Sequence, residues 1–288
     1  MEAGTVVSLW RYPIKSMQGE RLTESAIGPR GLAGDRAYGL IDVETGHLCS
    51  AKHPRKYGPV FACHAAFVVE QNGAVPARVA ITLPDGSVVH SDDDDVDERL
   101  SDLLGRRVRL EAAAPAEPVI EEVWPDVKGP DFYGPRQTDD EDGHAVIDFR
   151  ASLAVPGGFF DLSAIHLLTT NSLDAMAERE PASRFDERRF RPNIVARMDG
   201  GGFVENDWGG KQVRVGGTTL AVAIPTPRCV MTTLPNDDLP KDNGVLKALA
   251  DHNRVTIGTM GSFPCIGVNA SVSAGGTIRV GDPVAVEN

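Results

Sequence analysis

The chain has no stretch approaching the roughly eighteen consecutive apolar residues that a spanning helix needs, so a helical membrane protein is not expected. Its first residues, Met1-Glu2-Ala3-Gly4-Thr5-Val6-Val7, lack the basic and apolar parts of a secretory signal, and a cytoplasmic location is the expectation. Cysteine is scarce. Cys49, Cys63, Cys229 and Cys265 form no C-x-x-C pair, which speaks against a zinc knuckle or a cysteine-rich iron–sulfur loop and predicts free thiols in a reducing compartment. Positive charge is also in short supply. Against 41 Asp and Glu stand 29 Lys and Arg, a net −12, so neither nucleic acid nor an anionic membrane is an expected partner. Any anion site must therefore be local. With 41% hydrophobic and 24% charged residues over 288 positions, a folded globular chain with room for two domains remains.

What is present reads first as short strands. Val6 to Trp10, Arg36 to Ile41 and Ala66 to Val69 are candidates, and Arg78 to Leu83 alternates before Pro84-Asp85-Gly86 and Ser87 to His90, a hairpin signal. The acidic run Asp92 to Asp95 precedes a helical pattern, Val96 to Leu104, where carboxylates favour the positive end of the dipole. From Glu117 to Gly158 the sequence is rich in Pro, Gly and Asp, and a domain boundary is expected near residue 120, giving units 1–120 and 121–288. The second unit offers strands at 166–170, 193–197, 212–215, 218–224 and 254–258, and helices at 172–179 and 245–252. It closes on a strand pair, Gly276 to Val280 and Val284 to Val286, joined at Gly281-Asp282-Pro283. The class implied is α+β, mostly β, with an antiparallel barrel-like first half.

Four groups of residues carry chemistry. A thiolate suits a soft or high-valent metal, and Arg228 beside Cys229 favours the ionised sulfur. Pro225 and Pro227 remove backbone donors, so the chain from Thr226 to Cys229 is predicted to loop at a strand end. Thr169, Thr170, Asn171 and Ser172 close a strand and open a helix, with Asn171 as the expected N-cap and Asp174 three positions on. Such a terminus either binds phosphate or is a plain strand-turn-helix junction. Arg188-Arg189-Phe190-Arg191-Pro192-Asn193 gathers guanidiniums that match phosphate, although Arg188 and Arg189 also fit a solvated face. Lys15, Ser16 and Arg36 could add anion donors from the first half.

Together these segments resemble the MOSC superfamily in its form with an N-terminal β-barrel domain. The resemblance rests on Trp10-Arg11-Tyr12-Pro13-Ile14-Lys15-Ser16, the stretch Gly34 to Ile41, His166 to Leu173, Phe190 to Val195, Pro227 to Thr233, and Gly276 to Pro283, in that order over nearly the whole chain. It implies an N-terminal MOSC barrel domain followed by a MOSC barrel domain with a few helices. The chain resembles bacterial relatives of the mitochondrial amidoxime-reducing components, which reduce N-hydroxylated compounds at a pterin-bound molybdenum. Carried onto this sequence, it makes Cys229 the molybdenum ligand and catalytic residue. Lys15, Ser16 and Arg36 would hold the cofactor from one side, and Thr169, Thr170, Asn171, Ser172, Arg191, Asn193 and Arg228 from the other.

The resemblance also sets expectations about partners. The chain ends at Asn288 without the cysteines of a plant-type iron–sulfur domain, so electrons are expected from a separate ferredoxin- or flavoprotein-type donor, with a small molecule as substrate. Nothing resembles the pyridoxal-phosphate desulfurase part of the cofactor sulfurases. The Asp-Pro pair usual after the family's Thr-Thr is replaced here by Leu234-Pro235-Asn236-Asp237-Asp238, where Asp237 and Asp238 read as surface carboxylates or proton carriers. The alternative to an oxidoreductase is a carrier, with Cys229 bearing a persulfide or the protein delivering intact cofactor.

Overall fold

The computed structural model describes residues 3–68, 77–124, 137–139, 145–150 and 155–287. Its centre is a closed seven-stranded barrel. Strands Ile165–Thr169, Ile194–Met198, Ala3–Arg11, Pro283–Glu287, Gln212–Val215, Thr218–Pro227 and Gly261–Ala274 follow one another around it, and Gly261–Ala274 pairs back with Ile165–Thr169. Alternation fills the barrel. Leu9, Ile165, Leu167, Ile194, Val213, Leu220 and Val268 turn inward around fully buried Trp208.

The mostly-β expectation holds, but the two halves interleave. Ala3–Arg11, expected in the first unit, is a stave of the second unit's barrel, paired antiparallel with both Ile194–Met198 and Pro283–Glu287. The closing strands do not form a hairpin with each other. Gly276–Arg279 pairs with Glu24–Gly28, while Pro283–Glu287 pairs with the first strand and with Gln212–Val215. The boundary near residue 120 is thus a feature of sequence that the sheets cross.

The first half packs its own core, with Ile14, Tyr57, Ile81, Val89 and Leu100 buried together. Its sheets are small: His64–Phe67, Val79–Thr82 and Val88–His90 form one, and Gly39–Asp42 pairs with Val108–Glu111. The hairpin at Pro84-Asp85-Gly86 is as predicted, with Gly86 at φ 84°. So is the helix Val96–Leu104, which ends at left-handed Gly105. Its acidic approach is held by Arg78, which reaches Asp92 and Asp93. Helices Thr170–Arg179 and Gly244–His252 pack on the barrel through Leu173, Met176, Val245, Ala248 and Leu249, while His252 is exposed. Among the described residues no helix is long and apolar enough to cross a membrane.

One strand goes unread in the sequence and another runs further than predicted, for one reason. Gly261–Ala274, the longest strand, is hidden in sequence by Gly261, Pro264 and Gly267, and Thr218–Pro227 runs through Pro225 and Pro227 rather than stopping before them. Both strands are irregular where they meet, with register shifts between Val222 and Ile224 and between Pro225 and Pro227. Bulges accept proline and glycine because the ladder there does not need every N–H. The stretch after Glu117 likewise contributes strands, Val119–Trp124 paired with Ala145–Arg150, although much of it lies outside the described residues.

One buried carboxylate organises the first half. Asp42 accepts from the backbone N–H of Glu44 and Thr45, the Tyr57 hydroxyl at 3.0 Å and the Arg106 Nε at 2.6 Å. Burial alone would raise its pKa, but these donors outweigh burial and hold it below the ordinary carboxylate range. Asp42→Ala should destabilise the protein by about 3 kcal/mol in chemical denaturation, because it leaves several donors unpaired. A depressed folded pKa contributes stability that is complete above the unfolded value of about 3.9 and vanishes as pH falls through the folded value. Asp42→Asn should therefore flatten the acid limb of a stability-versus-pH curve, and an unchanged limb would show that other carboxylates set it.

Candidate functional site

The segment after the first strand turns sharply into the space between the halves. Ser16 sits at φ 66°, its hydroxyl accepting from the Ala51 N–H, and Lys15 is anchored through its own N–H to the Tyr38 carbonyl. Arg36 follows the glycine turn at φ 47°, bonded by its N–H to Tyr12 O at 2.8 Å and by its guanidinium to Asp35. Across the cleft Arg191 sits at φ 53° and donates to Met17 O at 2.6 Å. Only Asp237 joins these three as a non-glycine residue with positive φ among the described residues. Left-handed backbone is costly for such side chains, so its concentration on one cavity marks a place where the fold imposes geometry.

That cavity is lined by Lys15, Ser16 and Arg36 from the first half and by Arg191, Asn193, Arg228 and Cys229 from the second, so the structure brings together most of the predicted donors. The Thr169 to Ser172 turn is not among the lining residues. There the N-cap is Thr169 rather than Asn171, its hydroxyl accepting from the Ser172 N–H and donating to buried Glu205 at 2.7 Å. Asn171 lies inside the first turn, where its amide exchanges hydrogen bonds with Met198 and reaches Gly200 O. The helix start thus braces the barrel.

The lining also contains residues that sequence reasoning missed: Lys52, Glu122, the segment Phe159 to Ser163, His166, Thr226 and Asn269. Lys52 is paired with Glu122 and lies 3.3 Å from Asp161, which also binds Lys15. Lys15 further donates to Phe159 O at 3.2 Å. No short motif surrounds Lys52 or Asp161, so nothing local in the sequence singles them out. Burial of His166, reinforced by the Arg228 charge, keeps that imidazole neutral, with a pKa well below its ordinary value.

Six cationic side chains, Lys15, Arg36, Lys52, Arg189, Arg191 and Arg228, face two carboxylates, Glu122 and Asp161, around this cavity. A cationic excess inside a chain of net −12 is a local design for an anion. Burial lowers the Arg191 pKa to about 10, with the Arg36 charge adding to the effect. An anion between them would relieve both.

The cavity also contains buried donors without partners among the described residues: Arg228 Nε, Asn269 Nδ2 and the Thr226 hydroxyl. Arg228 is otherwise engaged, donating to Phe190 O at 2.7 Å and lying 3.5 Å from His166 Nε2. Orphaned buried donors are uncommon, and a group rich in acceptors would satisfy them. The lining therefore fits a phosphate-bearing heterocycle.

Cys229 is the partly exposed member of the four cysteines; Cys49, Cys63 and Cys265 are buried. Cys265 packs with Ile257 and Phe263 and is not among the lining residues, although it pairs with Pro227, which is, and its thiol is pushed up to about 12 by burial. The expected help from Arg228 is weaker than supposed. Burial lifts the Cys229 thiol above the ordinary range, and Lys52 opposes this more than Arg228 does. A coordinated metal would deprotonate the thiol outright. Among the described residues no three His, Cys, Asp or Glu side chains converge as a metal site, so an ion at Cys229 needs ligands brought with it.

The other predicted arginines divide. Arg189 is almost fully buried rather than solvated, donating to the carbonyls of Arg184, Thr232, Leu234 and Pro240 and so clamping the loop after Cys229. Arg188 is bound to Asp186 and reaches Asp237 and Asp238, which lie on the surface as expected, with His64 2.7 Å from Asp237.

Comparisons with known proteins identify the family. Residues 156–285 match the family model described as the MOSC domain, and residues 3–87 match that of the MOSC N-terminal beta barrel domain. Mitochondrial amidoxime reducing component 2 of Rattus norvegicus is 27% identical over 295 residues, covering 98% of this chain and 83% of its own length. Mitochondrial amidoxime-reducing component 1 of Mus musculus is 27% identical over 310 residues, covering 98% and 82%. Among solved structures, the YUAD protein from Bacillus subtilis aligns over 99% of this chain and 98% of its own at a TM-score of 0.44 and 10% identity.

The floor of the cavity depends on a glycine. Gly267, at φ 76°, gives its N–H to Glu205, and an added Cβ would collide with His166 Nε2 and come 2.8 Å from Leu167 O. Gly267→Ala should lower stability by about 1–3 kcal/mol and displace the His166 ring. Thermal unfolding together with the imidazole resonances of His166 checks this, and an unmoved ring with unchanged Tm would refute it.

Proposed function

The chain belongs to the MOSC family, in the form with an N-terminal MOSC β-barrel domain, and from that premise we propose that its cleft holds a molybdenum cofactor through Cys229 and reduces N-hydroxylated compounds. The observation that carries the proposal is the convergence on one cavity of a partly exposed thiol, a cationic excess and unpartnered buried donors. The names of the amidoxime-reducing relatives supply the substrate class. When bound, the cofactor supplies the two-electron chemistry of its metal.

The chain's own residues have separable tasks. Cys229 Sγ is the single protein ligand. Arg36, Arg191 and Arg228 bind the anionic and acceptor-rich parts of the cofactor, with Lys15 and Ser16 completing the first-half side. Asn193 positions rather than contacts, because its amide is already committed to the His166 N–H and to Asp35. The Thr169 to Ser172 turn acts from behind through Glu205 and Gly267. Phe159, Phe160 and Phe190 make an apolar wall that limits water near the thiol. Electrons come from a separate donor protein of ferredoxin or flavoprotein type, and the substrate is a small molecule.

A second reading, a carrier of persulfide or of intact cofactor, is favoured by the accessibility of Cys229 alone among the cysteines. Metal and pterin analysis separates the two. Protein made in cells able to synthesise the cofactor should contain about one molybdenum and about one pterin per chain and should reduce benzamidoxime with an artificial electron donor. Cys229→Ala should lose the sulfur-to-metal spectral features and at least roughly a hundredfold in rate. Protein without metal whose Cys229 takes labelled sulfur from a desulfurase would establish the carrier reading instead.

A further inference from the structure

Tyr12 lies just behind the cavity lining and is almost fully buried, yet its hydroxyl has no partner among the described residues. A buried phenol usually finds one, so this side chain is kept for its ring. Over that ring lie two guanidiniums of the proposed cradle, Arg36 with Cζ 4.6 Å and Arg191 with Cζ 4.2 Å from the centroid. Their second aromatic neighbours, Phe160 for Arg36 and Phe61 for Arg191, are farther, at 6.0 and 5.8 Å. Both arginines come from positive-φ backbone, one on each side of the cleft.

Two buried cations near each other repel, and in the absence of an anion each gains by swinging away. An aromatic face opposes that motion, because its quadrupole attracts a guanidinium without neutralising it. Arg191 therefore keeps its charge for a ligand, while Arg36 is held by Asp35 as well as by the ring. A carboxylate, as Asp35 is for Arg36, also holds a guanidinium but competes with the anion, and the ring does not.

We propose that Tyr12 is the positioning residue of the anion cradle, its ring rather than its hydroxyl holding Arg36 and Arg191 ready for a phosphate group. Tyr12 touches neither reacting atoms nor metal in this role. It acts through the two arginines, and the proposal rests on the cleft being a phosphate-bearing cofactor site.

The test uses cofactor-free full-length protein titrated with inorganic phosphate by calorimetry, and pterin content after production in cofactor-making cells. Tyr12→Phe keeps the ring and should bind phosphate and retain pterin as the wild type does. Tyr12→Leu should lose roughly tenfold or more in phosphate affinity and most of its pterin, while still unfolding cooperatively. Should Tyr12→Leu fail to fold, Tyr12→Met replaces it with the same expectation. Tyr57→Leu, a comparable hole in the first-half core, should cost stability without changing phosphate affinity.

Aliphatic variants that bind phosphate within a factor of about two of the wild type would overturn the positioning role and leave the cleft reading intact. Tyr12→Phe losing as much as Tyr12→Leu would overturn it by transferring the role to the hydroxyl, and equal loss in Tyr57→Leu by reducing it to general stability. A wild type that takes up neither phosphate nor pterin overturns the cleft reading and the positioning role with it.

Discussion

The Asp35 carboxylate is the joint on which the rest of this structure depends. One oxygen accepts from the Tyr12 N–H at 2.8 Å, the other from Asn193 Nδ2 at 2.9 Å, and the Arg36 guanidinium joins them. Those donors belong to the end of the first strand, the turn after Gly34 and the second half's Ile194 strand. A buried carboxylate satisfied from three directions fixes them rigidly, since moving any one leaves charge or donor unpaired in a dry place. The strained backbone at Arg36, the shared ring of Tyr12 and the register between the first strand and Ile194–Met198 all follow from this tie.

Much of the site was legible in the sequence because anion binding uses side chains that stand out in a chain of this charge. Lys15, Arg36, Arg191 and Arg228 could be singled out as donors, and Cys229 as the thiol flanked by proline and arginine. Lys52 and Asp161 could not. Each has an ordinary neighbourhood, and their pairing spans more than a hundred residues, which no local pattern encodes. The Thr169 turn shows the reverse problem. Its composition suits phosphate or capping equally, and only the position of Glu205 shows which use the fold makes of its hydroxyl.

The fold was legible where elements are regular, as at the Asp85 hairpin and the helix Val96–Leu104. It was hidden where the barrel bends. Gly261–Ala274 and the end of Thr218–Pro227 carry the glycines and prolines that normally announce a loop, because the strands of this small barrel are irregular where they meet and bulges accept such residues. Pairing partners were the least visible feature. Local patterns locate the closing strands but not that one of them crosses to Glu24–Gly28.

The first strand's place in the barrel has a consequence for how the molecule assembles. Ala3 stands opposite Ala285, so closing the barrel joins residues separated by almost the entire chain. During synthesis the first strand can pair with Glu20–Leu22 and then with Ile194–Met198, but the barrel closes only once Pro283–Glu287 has emerged. The two halves are therefore not modules that could be exchanged or shed. A chain cut at the apparent boundary would leave one piece with an open sheet and the other with an orphan strand, each exposing a template for unwanted pairing. The cleft between the halves inherits this arrangement: the strand that leads into Lys15 and Ser16 on one wall is itself a stave of the barrel that carries the other.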